Sequence, residues 1–405
     1  MFSKEEKTFV LQNPRLFAAA FLLGLLYVDP LGLGPLGGHD YRPVRHNVSR
    51  YCDVLPQWPD DNRNRLKFGE LAFASQVFGP ESIEFDSDGR GPYAGLADGR
   101  VVRWMGEAVG WETFAVVSPN WSAAVCANGV ESTTAKQHSK EELCGRPLGI
   151  RFRRNSGELY IADAYHGLMV VDRKGGAATP LASQVHRGGP IRFANDLDIH
   201  SNGSVFFTDS SARYSRRDHF LILLEGEATG RLLRFDPSNG KTHIVLRGLA
   251  FPNGVQLSLD QTFLLFTETT NCRVMRYWVE GPKRGLLEVF ANLPGFPDNV
   301  RMNEKGQFWV AIDCCRTPAQ EVFSRNPWLR RIYFKLPLRL TFLARLLAIK
   351  MYTVVALFDE EGRIVDVLQD RGGETVKLVS EVREVGGKLW IGTVAHNHIA
   401  TLPYP

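Results

Sequence analysis

From about residue 80 to the end of the chain, apolar and polar residues alternate in short runs separated by Asp-Gly, Ser-Asn-Gly and Lys-Gly turns. A period of two marks strands, and these turn residues are hairpin chemistry. One motif recurs inside the pattern: a Pro or Ala, a variable slot, one further residue, then an apolar strand. It reads Pro80-Glu81-Ser82-Ile83, Pro147-Leu148-Gly149-Ile150, Ala194-Asn195-Asp196-Leu197, Pro252-Asn253-Gly254-Val255 and Pro297-Asp298-Asn299-Val300. A weaker sixth copy is Val379-Ser380-Glu381-Val382. A turn and a second strand follow each copy, as in Leu159–Asp163, Val205–Asp209 and Phe308–Asp313.

Six copies at roughly 45–80-residue spacing predict an all-β fold, a six-bladed β-propeller of four-stranded blades around one axis. The last copy runs out at Pro405 with too few strands for a blade. The early run Leu66–Val77 can supply the missing one, which closes the ring and removes two sheet edges. A pair of β-sandwiches would not place one motif at the entrance of every unit.

The slot matters most for chemistry. In a propeller the first strand of each blade lies nearest the axis, so its entrance points at the central channel. Glu81, Leu148, Asn195, Asn253, Asp298 and Ser380 therefore converge. Carboxylate and amide oxygens together suit a hard divalent cation, calcium before magnesium, and two carboxylates neutralise its charge. Glu81, Asn195, Asn253 and Asp298 are the candidate ligands. Leu148, Ser380 and Asn299 are candidate substrate contacts. Asp298, His166 after the second strand of blade two, and Glu381 are candidate catalytic groups. Strand alternation turns Glu381 to the opposite face from Ser380.

The chain begins differently. Lys4, Lys7 and Arg15 precede thirteen apolar residues, Leu16–Val28, short of the roughly 20 that span a bilayer and of signal-peptide length. A cleaved signal and a short uncleaved anchor both fit, so residues 1–39 form an address segment with linker and 40–405 the propeller. Three sequons, at Asn47, Asn120 and Asn202, agree with the secretory pathway. So do Cys126 and Cys144, which flank a polar insert that a disulfide would pin in an oxidising compartment. The pairing of Cys52, Cys272, Cys314 and Cys315 stays open, and no zinc-type cysteine spacing occurs.

A net charge of +4 over 405 residues is too weak for a nucleic-acid partner. It is unevenly placed, because Val322–Phe358 holds seven basic residues and no acid. This stretch interrupts blade five. Leu340, Phe342, Leu343, Leu346 and Leu347 alternate with Arg339, Arg345 and Lys350 at helical spacing, with Pro337 as the start. It predicts a helical excursion that caps the channel, or lies on a membrane surface through residues 326–351, or both.

At these motifs the chain resembles the strictosidine synthase-like family over nearly all of 40–405. Phe78-Gly79-Pro80-Glu81, Ala94–Trp104, Phe251–Ser258 and Phe296–Arg301 carry the resemblance. It is closest to a plant branch associated with anther and pollen-wall formation, is shared with adipocyte plasma membrane-associated protein, and extends to paraoxonases and gluconolactonase-type propellers. The resemblance implies a Cys126–Cys144 disulfide and a calcium ion held by Glu81, Asn195, Asn253 and Asp298. It also implies limits. The glutamate needed for strictosidine synthesis is replaced by Ser380, and of the paraoxonase histidine pair only His166 is matched, with Leu148 in the other place. The expected activity is metal-dependent hydrolysis of a hydrophobic ester or lactone. The alternatives are a non-catalytic, calcium-stabilised binding propeller and, by family name, amine–aldehyde condensation. The expected setting is the endoplasmic reticulum, vacuole or cell exterior.

Overall fold

The computed structural model describes residues 14–28, 32, 34, 36, 40–127, 140–346 and 352–405. Six antiparallel sheets surround one axis, with innermost strands Ile83–Glu84, Pro147–Phe152, Ala194–Ile199, Pro252–Leu257, Phe296–Met302 and Val379–Val385. Strands run outward in chain order with two additions. Gly176–Ala177 adds a parallel edge to blade one. Glu70–Ala72 pairs with Ile399–Pro403 as the outer strand of blade six, Leu71 opposite Ala400, so the chain's early part closes the ring.

Blades adhere through both faces of their strands. In Phe308–Cys314, Phe308, Val310 and Ile312 pack with Leu265 and Val274 of blade four. The intervening Trp309 and Ala311 pack with Leu389 and Ile391 of blade six. Period-two alternation thus feeds two apolar interfaces, which is why these strands read as nearly continuous hydrophobic runs.

The described helices of note are α1 (Pro14–Val28), α2 (His219–Glu225), α3 (Pro318–Arg325), α4 (Pro327–Tyr333) and α5 (Leu340–Leu346). The excursion in blade five is three helices, not the single one expected from the pattern. Pro318 and Pro327 open α3 and α4, where a missing N–H costs nothing, and Thr317 caps α3 by accepting from Gln320 N at 3.1 Å. Tyr333, Phe334 and Leu343 are buried with Tyr41, Leu224 and Phe323, so the excursion packs on α2 and on the strap of chain near residues 40–50. Residues 347–351 of the expected membrane segment, Leu347 and Lys350 included, lie outside the described residues.

Arg330, one of the seven basic residues of this stretch, does not face outward. Its guanidinium is buried and donates to Leu224 O (2.6 Å), Glu225 O (2.9 Å), Ser324 O (3.0 Å), Val44 O and His46 Nε2 (2.8 Å). It is a staple between strap, α2 and the excursion. Helix α1 has 15 residues, about 22 Å at 1.5 Å per residue. Among the described residues no helix is long and apolar enough to cross a membrane.

Candidate metal centre

A bulge sits at the slot in five of the six innermost strands. Registers shift between Pro147 and Ile150, Ala194 and Leu197, Pro252 and Val255, Pro297 and Val300, and Val379 and Glu381. Bulges re-aim side chains, and here they turn consecutive residues toward the axis. Hydroxyls of the preceding blade fix the bulged backbone. Thr208 Oγ1 donates to Asn253 O (2.6 Å), Ser210 Oγ to Pro252 O (2.8 Å), Thr267 Oγ1 to Asp298 O (2.7 Å) and Thr269 Oγ1 to Pro297 O (2.7 Å). Crowding demands glycine at two neighbouring positions. A Cβ on Gly149 would come within 2.4 Å of Asp196 Oδ1, and one on Gly254 within 2.5 Å of Asn299 Cα.

Glu81 and Asn299 meet across the axis from blades one and five, Asn299 Nδ2 donating to Glu81 Oε1 at 2.8 Å. Asn195 Nδ2 donates to Ser210 Oγ at 2.9 Å. Three buried acceptors at the axis then have no donor among the described residues: Glu81 Oε2, Asn253 Oδ1 and Asn299 Oδ1. Unmet buried acceptors each cost about 1–3 kcal/mol. The acids are strained as well. Burial first, then the neighbouring Glu381 and Asp196 carboxylates, pushes Glu81 up to about 8. Burial, then Glu81 and Asp313, raises Asp298 well above the usual carboxylate range. Oxygen acceptors without donors, beside acids that resist ionising together, are the donor set of a hard cation. The residues present fit such an ion. Among the described residues no cluster of three or more His, Cys, Asp or Glu is gathered for a metal, so amide oxygens must complete any shell.

One residue further along the motif lies a second tier, which pattern reading did not anticipate. Arg301, fully buried, pairs with both oxygens of Asp196 (2.6 and 2.9 Å) and with Glu381. Glu381 also accepts from Ser82 Oγ (2.8 Å) and Ile83 N (2.9 Å). Blades one, three, five and six therefore meet on the axis. Glu381 is not turned away from the channel as simple alternation predicts, because the bulge between Val379 and Glu381 breaks that alternation. Burial pushes its pKa up, but Arg301, Arg383 and Arg151 outweigh burial and hold it below its ordinary value. Beneath it, Arg383 pairs with Glu84 (2.8 Å) and Gln256 Nε2 donates to Asp198 (2.7 Å). The signal was present in the sequence as a charged or amide residue three positions after each slot, at Glu84, Arg151, Asp198, Gln256, Arg301 and Arg383.

Ser380 Oγ donates to Glu81 O at 2.6 Å. Leu148 is buried with Ala164, Phe193, Tyr214, Leu221 and Phe251, an apolar cover over one side of the channel. His166 Nδ1 lies 2.8 Å from Asp163 Oδ1, whose hydrogen bond outweighs burial and raises the imidazole pKa. Asp163 also accepts from the backbone of Arg146, Tyr165 and His166. Cys126 and Cys144 form a disulfide. Cys52 and Cys272 are free, the first exposed and the second buried. Asn47, Asn120 and Asn202 are all exposed. A 530 Å³ cavity walled by Val48, Trp58, Asn292 and Phe358 contains none of the axial residues.

Fold and axis together define a six-bladed β-propeller with an acceptor-lined centre. Residues 195–282 match the family described as strictosidine synthase, and 64–104 that described as strictosidine synthase-like, N-terminal. The chain is 63% identical over 394 residues to protein strictosidine synthase-like 13 of Arabidopsis thaliana, covering 97% of this chain and 95% of that one. It is 34% identical over 349 residues to adipocyte plasma membrane-associated protein of Salmo salar, covering 84% and 78%. This chain belongs to the strictosidine synthase-like family. Among solved structures, a gluconolactonase of Xanthomonas campestris shares the fold at TM-score 0.52 and 16% identity, over 90% of this chain and 96% of that one. The calcium-binding protein regucalcin of Agrobacterium tumefaciens does so at TM-score 0.50 and 14% identity, over 82% and 92%.

Proposed function

We propose that this propeller is a cation-dependent hydrolase of a hydrophobic ester or lactone, with calcium held by Glu81, Asn195, Asn253 and Asp298. The observation that carries the reading is the donorless oxygens on two of these ligands, Glu81 and Asn253, with a third on Asn299 beside them. When bound, the ion supplies Lewis-acid polarisation of a carbonyl oxygen. The chain's own residues do the rest. Leu148, Phe193 and Phe251 exclude water beside the axis. Asp163 holds His166 Nδ1, which leaves Nε2 to accept a proton from water, and Asp298 is a second acceptor. Ser380 and Glu381 move no proton in this reading, since the first is bonded to Glu81 O and the second is locked to Arg301. The same two facts weigh against amine–aldehyde condensation, which needs a free carboxylate there.

The gluconolactonase and calcium-binding descriptions of the structural neighbours agree with this choice of reaction and ion. The disulfide and exposed sequons agree with a secretory compartment. The proposed setting is pollen-wall or specialised metabolism in a plant. A non-catalytic binding propeller is the second reading, favoured by the near-complete burial of Leu148 and Phe251 beside the axis. A panel of aliphatic lactones and aryl esters, assayed with calcium and with a chelator, separates the two. Chelator-sensitive turnover that Asp298→Asn lowers at least about a hundredfold supports the hydrolase, and no turnover of any member overturns it.

A further inference from the structure

Most buried arginines of this chain face an acid. Arg231 has Asp209, Arg216 has Glu141, Arg301 has Asp196 and Glu381, and Arg151 lies 3.5 Å from Glu84. Arg330 has none, but five acceptors surround it. Arg316 lies beneath the strap, donating to Ser49 O, with its Nε and Nη2 unpartnered among the described residues. Arg146 shows the same pattern beside the axis. It is fully buried, two residues before the slot of blade two, and Nη1 donates to Gly79 O at 2.8 Å. Among the described residues its Nε and Nη2 have no partner.

Among the described residues the acids near it have other partners, and the one free carboxylate oxygen, Glu81 Oε2, lies beyond salt-bridge reach. Glu141 accepts from Tyr165 Oη (2.9 Å) and Arg216 (3.3 Å), and Asp98 accepts from Arg100 (2.7 and 2.9 Å). Glu81 Oε1 is taken by Asn299. Among the described residues no carboxylate lies within salt-bridge distance of Arg146. Burial, then repulsion from Arg216, lowers its pKa to about 10, so it stays charged at neutral pH. A buried charge without a counter-ion costs several kcal/mol, and sites tolerate such a cost where a ligand supplies the partner. The two free donors are also a matched pair. Nε–H and Nη2–H point the same way from one edge of the guanidinium, the fork that grips both oxygens of a carboxylate.

We infer that Arg146 is the anchor for a carboxylate carried by the ligand of this channel. Glu81 follows Gly79, the backbone partner of Arg146, by two residues. His166 Nδ1 lies 3.4 Å from where a Cβ on Gly145 would stand. Arg146 thus stands between the backbone that leads to Glu81 and the His166–Asp163 pair, whose Asp163 Oδ2 accepts from its N–H at 2.6 Å. As a statement about the substrate it rests on the hydrolase reading, and it narrows that substrate to an anionic ester or lactone with an apolar body. As a binding site it stands on Arg146 alone.

The test reads binding and needs no turnover. Hexanoate and its uncharged isostere hexanamide are titrated calorimetrically into the calcium-containing full chain at pH 7, with inorganic phosphate as a third arm. Wild type should bind hexanoate at least about tenfold more tightly than hexanamide or phosphate. Arg146→Lys, which keeps the charge and loses the fork, should weaken hexanoate severalfold, and Arg146→Gln should bring it to the level of hexanamide. Equal affinity for hexanoate and hexanamide in wild type overturns the proposal even if neither variant folds. Phosphate binding as tight as hexanoate overturns the choice of carboxylate, and an unchanged hexanoate affinity in Arg146→Lys overturns the fork. A chain that binds hexanoate selectively but hydrolyses nothing refutes the hydrolase and leaves the anchor standing.

Discussion

Replacing Arg301 by methionine probes the axial lock. The side chain is fully buried and compensates two carboxylates, Asp196 and Glu381, that are themselves fully buried. Methionine keeps much of the volume and removes the charge, leaving both acids without their cation. Breaking a buried pair in this way costs about 3–5 kcal/mol. Unfolding entropy for a propeller of this length is on the order of 0.8 kcal/mol/K, so the melting temperature should fall by about 4–6 °C at pH 7. The pH dependence gives the sign. Glu381 is held below its ordinary pKa in the wild type, so its contribution is full above about 4.5 and fades as pH falls. In Arg301→Met the stranded Glu381 protonates more readily, and the deficit should shrink between pH 7 and pH 5. Thermal melts by circular dichroism at both pH values provide the measurement. A melting temperature within about 1 °C of wild type at pH 7, or a deficit that widens in acid, would refute the reasoning.

Two further outcomes are expected. His46 is buried beside Arg330, and burial, then that charge, lowers its pKa to about 3. Its contribution to stability is therefore complete above the ordinary value near 6.5 and is lost as pH falls below it, by up to about 1.4 kcal/mol per pH unit; urea melts between pH 6.5 and 5 should show a shallower loss in His46→Gln. On the outer face, Trp328 and Phe342 are half exposed, Leu23 of α1 shares a pocket with Trp328, Ile332 and Leu336, and Arg331, Arg339 and Arg345 are exposed. We expect this face to bind anionic liposomes at low salt even without residues 1–39. Gln at Arg331, Arg339 and Arg345 together should weaken it by about 1 kcal/mol per charge, with Arg330 left intact as the staple; unchanged co-sedimentation with vesicles would exclude the membrane contact.

The fold was legible because each innermost strand announces itself twice, by its Pro- or Ala-led entrance and by its alternation. The closing strand Glu70–Ala72 was legible from the shortage at the other end of the chain. What alternation could not show was the bulge at the slot. It brings consecutive residues to the axis, so Asn299 joins Glu81 and Glu381 is drawn into the Arg301 pair. The role of Arg330 escaped for a related reason. Its basic neighbours made it look like surface, whereas its partners are carbonyls of the strap and α2, more than a hundred residues away in the chain, together with nearby Ser324 O. Arg146 carried a weaker signal, since nothing local distinguishes an arginine without an acid from one that has found a distant partner.

The central claim is that the donorless oxygens of Glu81, Asn253 and Asn299 await a cation. Differential scanning calorimetry of the full chain in excess EGTA, and after return to calcium or to magnesium, tests it most directly. At a free calcium concentration about a hundredfold above its dissociation constant, the ion should stabilise the fold by about 2.7 kcal/mol, roughly 3–4 °C here, with a smaller effect for magnesium. Asp298→Asn should lose most of the calcium increment. A wild-type melting temperature that is the same in EGTA and in calcium would contradict the account.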